Sequence, residues 1–171
     1  VTLLSDGSQT AFLDDFSVPG NGGFGGELTA RQLIQNPGTG FHFVSSPVQG
    51  ASVSSFSDDF PLNPINGAVN GSQVIPQASC SRRALAAGSP YANLFSHRED
   101  AVRNCDFEAW HVKLSGALNR GEGFAAIIPN SSMLDITGPP NTGSFTYGSV
   151  TKSPLNNTPL QGLNQLGNPY P

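Results

Sequence analysis

The sequence predicts an all-β fold, an antiparallel β-sandwich-like domain with long irregular loops and at most one short helix. Three observations predict it. Glycine (20) and proline (14) make up about a fifth of the 171 residues, so a helix breaker falls every few positions. Several segments alternate apolar and polar side chains with the period of two that turns one strand face inward. The stretch 121–148, GEGFAAIIPNSSMLDITGPPNTGSFTYG, reads as short strands separated by turn residues.

That stretch organises the expected fold. Phe124 to Pro129 is a nearly continuous apolar run, which suits a strand buried on both faces. Met133 to Thr137 alternates, with Met133 and Asp135 on one side and Leu134 and Ile136 on the other. Ser144 to Tyr147 starts a third strand with Phe145 and Tyr147 together. Turn chemistry lies between them, so the three are expected to pair as an antiparallel meander.

The rest of the chain follows in order. Val1 to Leu4 and Thr10 to Asp14 are strand candidates. Glu27 to Ile34 is a third, placing Leu28, Ala30, Gln32 and Ile34 on one face. The glycine-rich loop 19–26 lacks the following helix and Lys-Ser/Thr of a phosphate loop. In the strand candidate at 41–48, Phe41 and Phe43 point one way and His42 and Val44 the other. Residues 49–93 form an irregular excursion rich in Ser, Pro, Asn and Gly, with one short helical patch at Ser81 to Gly88. Strand character returns at Leu94 to Arg98 and Asp106 to Leu114. A last strand is expected within Pro159 to Asn168, with either Leu163 inward or Leu160 and Leu166 inward.

Composition bounds the function. Charged residues are 12%, against about 25% in an average globular protein. Low charge with abundant small polar residues is the surface of an extracellular or cell-surface β protein. A net charge of -4 with 8 Lys+Arg gives no basic footprint for nucleic acid. No apolar run is long enough to span a membrane as a helix, so membrane insertion is not expected. Cys80 and Cys105 are read as a disulfide in such a setting, worth about 3 kcal/mol through the unfolded chain; two buried thiols are the alternative.

Several pieces in order carry a resemblance. They are Leu3–Ala11 (LLSDGSQTA), Phe41–Val48 (FHFVSSPV), Gly121–Phe124 before an apolar strand, Ile136-Thr137-Gly138 with Asn141-Thr142-Gly143, and Leu163–Pro171 (LNQLGNPYP). Together they resemble the β-rich modules of large secreted and cell-surface proteins of Bacteroidota, of the type exported by the type IX system. The resemblance spans nearly the whole chain and is poorest over residues 61–93. It implies one extracellular β-sandwich-like domain over 1–171, a segment of a longer multidomain protein, and it brings no active site with it. In that family more chain of the same fold follows Asn-Pro-Tyr-Pro. Here Pro171 is the last residue, so the sheet is expected to be completed by further chain or by another molecule. The strand edges expected to serve assembly into a fibre or sheath are Val1, Thr2, Leu3 and Leu4 at one end and Leu160, Leu163 and Leu166 at the other.

Catalytic patterns are not found in the sequence. No Gly-x-Ser-x-Gly elbow occurs, and no spacing singles out a pair among the acids. The chain is therefore read as non-enzymatic, without a cofactor. Asp14, Asp15, Asp58 and Asp59 sit beside loops and are weak calcium candidates, because the EF-hand pattern is absent. The first function expected is a structural module for adhesion, surface coating or self-assembly, partnered by copies of itself or by neighbouring domains. The second is a carbohydrate-binding module of a secreted polysaccharide-degrading protein, meeting extracellular glycan through Tyr91, Trp110, Tyr147 and Tyr170.

Overall fold

The computed structural model describes residues 2–6, 25–35, 40–64, 66–73, 92–101, 109–128, 130–148, 150–152 and 162–170. Seven strands and one 3-10 turn lie within them: β1 (Thr2–Ser5), β2 (Leu28–Ile34), β3 (Phe41–Ser45), the turn Val53–Phe56, β4 (Leu94–His97), β5 (Trp110–Val112), β6 (Gly123–Ile127) and β7 (Ser132–Gly138). They form two sheets, one ordered β1-β2-β7 and the other β3-β6-β4-β5. The fold is all-β and sandwich-like.

Alternation decides which faces meet. Leu28 and Ile34 of β2 and Leu134 and Ile136 of β7 turn inward from the three-stranded sheet. Val44 of β3, Leu94 of β4, and Phe124 and Ala126 of β6 meet them from the four-stranded sheet, in one apolar cluster. The excursion after β3 contributes Val53, Phe56 and Phe60 to the same cluster, all buried. Residues 51–60 of that irregular segment are therefore part of the core. Their backbone is tied to a second loop by Val53 N–H to Gly116 O and Leu118 N–H to Ala51 O.

The two sheets are also joined at a corner. After β3 and after β7 the chain runs together, with a bridge between Val48 and Pro140 and with Asn141 N–H donating to Pro47 O. Ser46 and Asn141 are buried there. Their polarity is met internally: Ser46 Oγ donates to Val48 O at 2.9 Å, and Asn141 Nδ2 donates to Ser46 O at 3.2 Å.

Three expectations are corrected. The meander does not form, because β6 and β7 belong to different sheets. β6 is buried almost throughout and already carries β3 on one edge and β4 on the other, so no edge is left for its successor. β7 crosses over and pairs antiparallel with β2, Ile136 opposite Ala30. Ser144 to Tyr147 is not a strand either; Phe145 and Tyr147 dock their rings against Gly121. The described part of the last segment, 162–170, has one isolated bridge, Glu122 to Leu166, in place of a strand. Of the leucines expected inward, Leu163 and Leu166 are 43% and 51% exposed, and Leu160 lies outside the described residues.

One ladder departs from the antiparallel pattern. β1 runs parallel to β2, Leu3 opposite Ala30. The strand candidate at 10–14 and the helical patch at 81–88 lie outside the described residues.

Candidate functional site

Among the described residues, the outer face of the four-stranded sheet carries two exposed phenylalanines, Phe41 and Phe43. Among the described residues β3 is the terminal strand of that sheet, and its inward residue Val44 fixes the opposite parity for Phe41 and Phe43. These two phenylalanines are 54% and 70% exposed. Phe41, opposite Ile127 in the ladder, reaches toward the middle of the sheet. Its ring meets Phe95 edge-on at 6.0 Å and lies nearly parallel to Trp110, 8° apart at 6.5 Å. Trp110 in turn meets the edge of His97 at 5.0 Å. Phe95, Val112 and Ala125 are buried beneath, with Trp110 and Ile127 partly covered. The alternation of Phe41-His42-Phe43-Val44 gave the parity; which side would face outward was settled only by the packing of Val44.

A second feature adjoins this face through His97. Residues 162–170 return across the start of β6, where Gly167 N–H donates to Gly121 O and Ser45 Oγ donates to Asn168 O at 3.0 Å. Gly167 is required by space: a Cβ there would collide with Ser45 Cβ and with Glu122 O. Gly121 is required twice over, by its φ of +79° and by the rings of Phe145 and Tyr147 pressed against it. The segment and residues 97–100, 119–122, 145–148 and 150–151 line a cleft of about 560 Å³.

A third opening lies between the sheets, where Leu3, Ala30 and Gln32 face Val44, with Tyr170 at the rim. Its volume is about 360 Å³.

The predicted aromatics divide between these places. Trp110 sits on the outer face, half-buried among rings. Tyr170 belongs to the returning segment and its hydroxyl donates to Gly143 O, whereas Tyr147 lies on the loop after β7 and its hydroxyl donates to Gly167 O of that segment. Tyr91, Cys80, Cys105, Asp14, Asp15, Val1 and Leu160 lie outside the described residues. Among the described residues, Thr2 to Leu4 lie on β1, at one end of the three-stranded sheet, and Leu4 is exposed.

Comparison with known proteins gives no relative: no family model, no curated protein and no solved structure matches this chain.

Two acids expected near calcium have distinct settings. Asp58 is exposed, whereas Asp59 is partly buried and its Oδ2 accepts the Asp135 backbone N–H at 3.1 Å. Burial lifts the Asp59 carboxyl from 3.8 to about 6, against the lowering effect of that hydrogen bond; the charges of Asp135 and Asp58 add to the rise. Asp59 thus caps the open edge of β7. Among the described residues, no group of three or more His, Cys, Asp or Glu side chains converges as metal ligands would. At the surface, Arg98 and Asp100 pair through two hydrogen bonds of 3.2 and 3.0 Å. That pairing holds the Asp100 carboxyl below its usual value and raises the Arg98 guanidinium.

Proposed function

We propose that this chain is a non-catalytic contact module of an extracellular or cell-surface protein, and that β3 is the element through which it joins a second copy of itself. The supporting observation is the exposure of Phe41 and Phe43 on a terminal strand. A terminal strand offers backbone N–H and C=O groups along its free side. Proteins that avoid association place charge or proline on such a strand; here the outward residues are two phenylalanines. Strand addition at β3 extends the four-stranded sheet and covers both rings. A module of this kind suits the secreted multidomain proteins that the sequence resembles.

Amide exchange tests the reading. The β3 amides of the isolated protein, followed at low and high protein concentration, exchange more slowly at high concentration under this proposal. Identical rates over a hundredfold range of concentration would overturn it.

One observation favours a second reading, glycan contact on the same face. The near-parallel rings of Phe41 and Trp110 present apolar planes of the kind that sugar rings stack on. Retention on an insoluble glycan, lost in Trp110→Ala while self-association persists, would favour it.

A further inference from the structure

The hydrogen bonds of the four-stranded sheet fix which backbone groups of β3 turn outward. In an antiparallel ladder the N–H and C=O of one residue point to the same side, and successive residues alternate. Ile127 N–H donates to Asn93 O at 2.8 Å, beside β4, so the polar groups of Ile127 turn away from β3. Lys113 N–H donates to Leu94 O at 2.9 Å, on the β5 side; Phe95 therefore turns toward β6, opposite Ala125. Both observations agree: Ala125 and Ile127 bond β4, while Phe124 and Ala126 bond β3. The β3 partners of Phe124 and Ala126 are Val44 and His42. Phe41, Phe43 and Ser45, opposite Ile127, Ala125 and Gly123, aim their N–H and C=O groups away from β6.

The side chains single out one of these three residues. Phe41 is held by its own sheet, against Phe95 and Trp110. Ser45 is tied to the returning segment through Asn168 O. Phe43 is 70% exposed, more than any other large apolar side chain among the described residues. It is the middle residue of β3, with two strand residues on either side. The strand holds no Asp, Glu, Lys or Arg, so no charge on it repels a second copy laid alongside. A strand with its most exposed ring at the centre, and outward-facing backbone groups at the centre and both ends, is complementary to itself when turned end for end.

We infer that two copies pair antiparallel through β3 about a two-fold axis at Phe43, closing into a dimer; this rests on the β3 contact proposed above. In this register Phe43 faces Phe43 of the second copy, and Phe41 faces its Ser45. Each such pair exchanges two N–H···O bonds, with the Cα atoms about 5.5 Å apart. All the outward groups of both strands are then bonded, and the two exposed rings cover each other. An axis at His42 does less. It leaves Ser45 beyond the end of the paired strand and sets Phe43 against Phe41, a ring already packed on its own sheet. The contact uses the same edge of both copies, so it is isologous and leaves no β3 edge for a third. The joined sheet runs β5-β4-β6-β3 into the second copy's β3-β6-β4-β5. Growth through this edge stops at two copies, where an edge paired head to tail would continue as a fibre.

The test is an isotope-filtered NOE experiment on an equal mixture of labelled and unlabelled full chain, at a concentration where sedimentation shows association. In the inferred register His42 of one copy lies opposite Val44 of the other as a non-bonded pair, whose α-hydrogens face each other at a Cα separation of about 4.5 Å. An intermolecular contact between those two α-hydrogens is expected, with a sedimentation coefficient that levels off at the dimer value. A contact of His42 with His42 in its place would overturn the register and leave β3 as the contact strand. Species larger than a dimer, with β3 protected, would overturn the closure alone. A protein monomeric at every concentration would overturn this inference together with the reading it rests on. Two variants check the apposition independently. Phe43→Lys and Phe43→Glu are expected to associate with each other at least tenfold more tightly than either does with itself, because opposite charges then meet across the axis. Equal association in the mixture and in the separate variants would overturn the pairing of position 43 with itself.

Discussion

Arg120 and Tyr170 end on the same oxygen. The guanidinium donates to Gly143 O at 2.7 Å and the Tyr170 hydroxyl donates to it at 2.8 Å, while the guanidinium carbon lies 5.3 Å from the centre of the Tyr170 ring. Phe145 faces the same cation at 5.1 Å. This arrangement fastens the returning segment to the loop before β6. A cation over an aromatic face contributes about 0.5–2 kcal/mol, and a charge-assisted hydrogen bond about as much again. Arg120→Ala is expected to cost about 2 kcal/mol and to speed exchange of the Gly167 amide, which donates to Gly121 O. Exchange at Gly167 equal to wild type would contradict the role given to Arg120.

Gly167 supplies an independent test of the same docking. Its backbone passes too close to Ser45 and Glu122 to admit a side chain. Gly167→Ala is expected to cost about 1–3 kcal/mol through overpacking, measured by chemical denaturation. A variant as stable as wild type would show that the segment is not seated there.

The excursion's place in the core is tested at Phe56. This ring is buried and packs on Phe60 at 5.6 Å. Phe56→Ala is expected to destabilise by about 3–5 kcal/mol and lower the melting temperature by roughly 10 °C. A loss below about 1 kcal/mol would place the ring outside the cooperative core.

Asp59 gives a pH dependence with a definite sign. Its folded-state value, about 6, lies above the ordinary 3.8, so the folded chain holds this proton more tightly than the unfolded chain. The stabilisation that follows is complete below 3.8 and is lost as pH rises through 6. Asp59→Asn keeps an acceptor for Asp135 N–H and does not titrate. It is expected to equal or exceed wild type near neutrality, by about 1 kcal/mol once the solvent reaching the carboxylate is allowed for. The difference between variant and wild type should grow from about pH 4 to pH 7 in denaturation series. Parallel curves would contradict the assignment.

The strands were legible where burial imposed a simple pattern. Leu134 and Ile136 alternate because one face of β7 is inward, and the apolar run of β6 follows from its being covered on both faces. Pairing was less legible, since proximity in sequence favours a hairpin. The choice of β2 for β7 depends on both edges of β6 being taken, a long-range fact. Phe145 and Tyr147 share the spacing of a strand face but are placed by the bare surface of Gly121. Among site residues, Trp110, Tyr147 and Tyr170 stood out by type. Arg120 carried no local signal, because its setting is built from segments far apart in the chain.

Sedimentation velocity over a range of concentrations, on wild type and on Phe43→Lys, bears most directly on β3 as a contact strand. The expected result is a weight-average sedimentation coefficient that rises with wild-type concentration and stays at the monomer value in the variant. A wild type that remains monomeric across the whole range, with Phe43→Lys indistinguishable from it, would contradict the account.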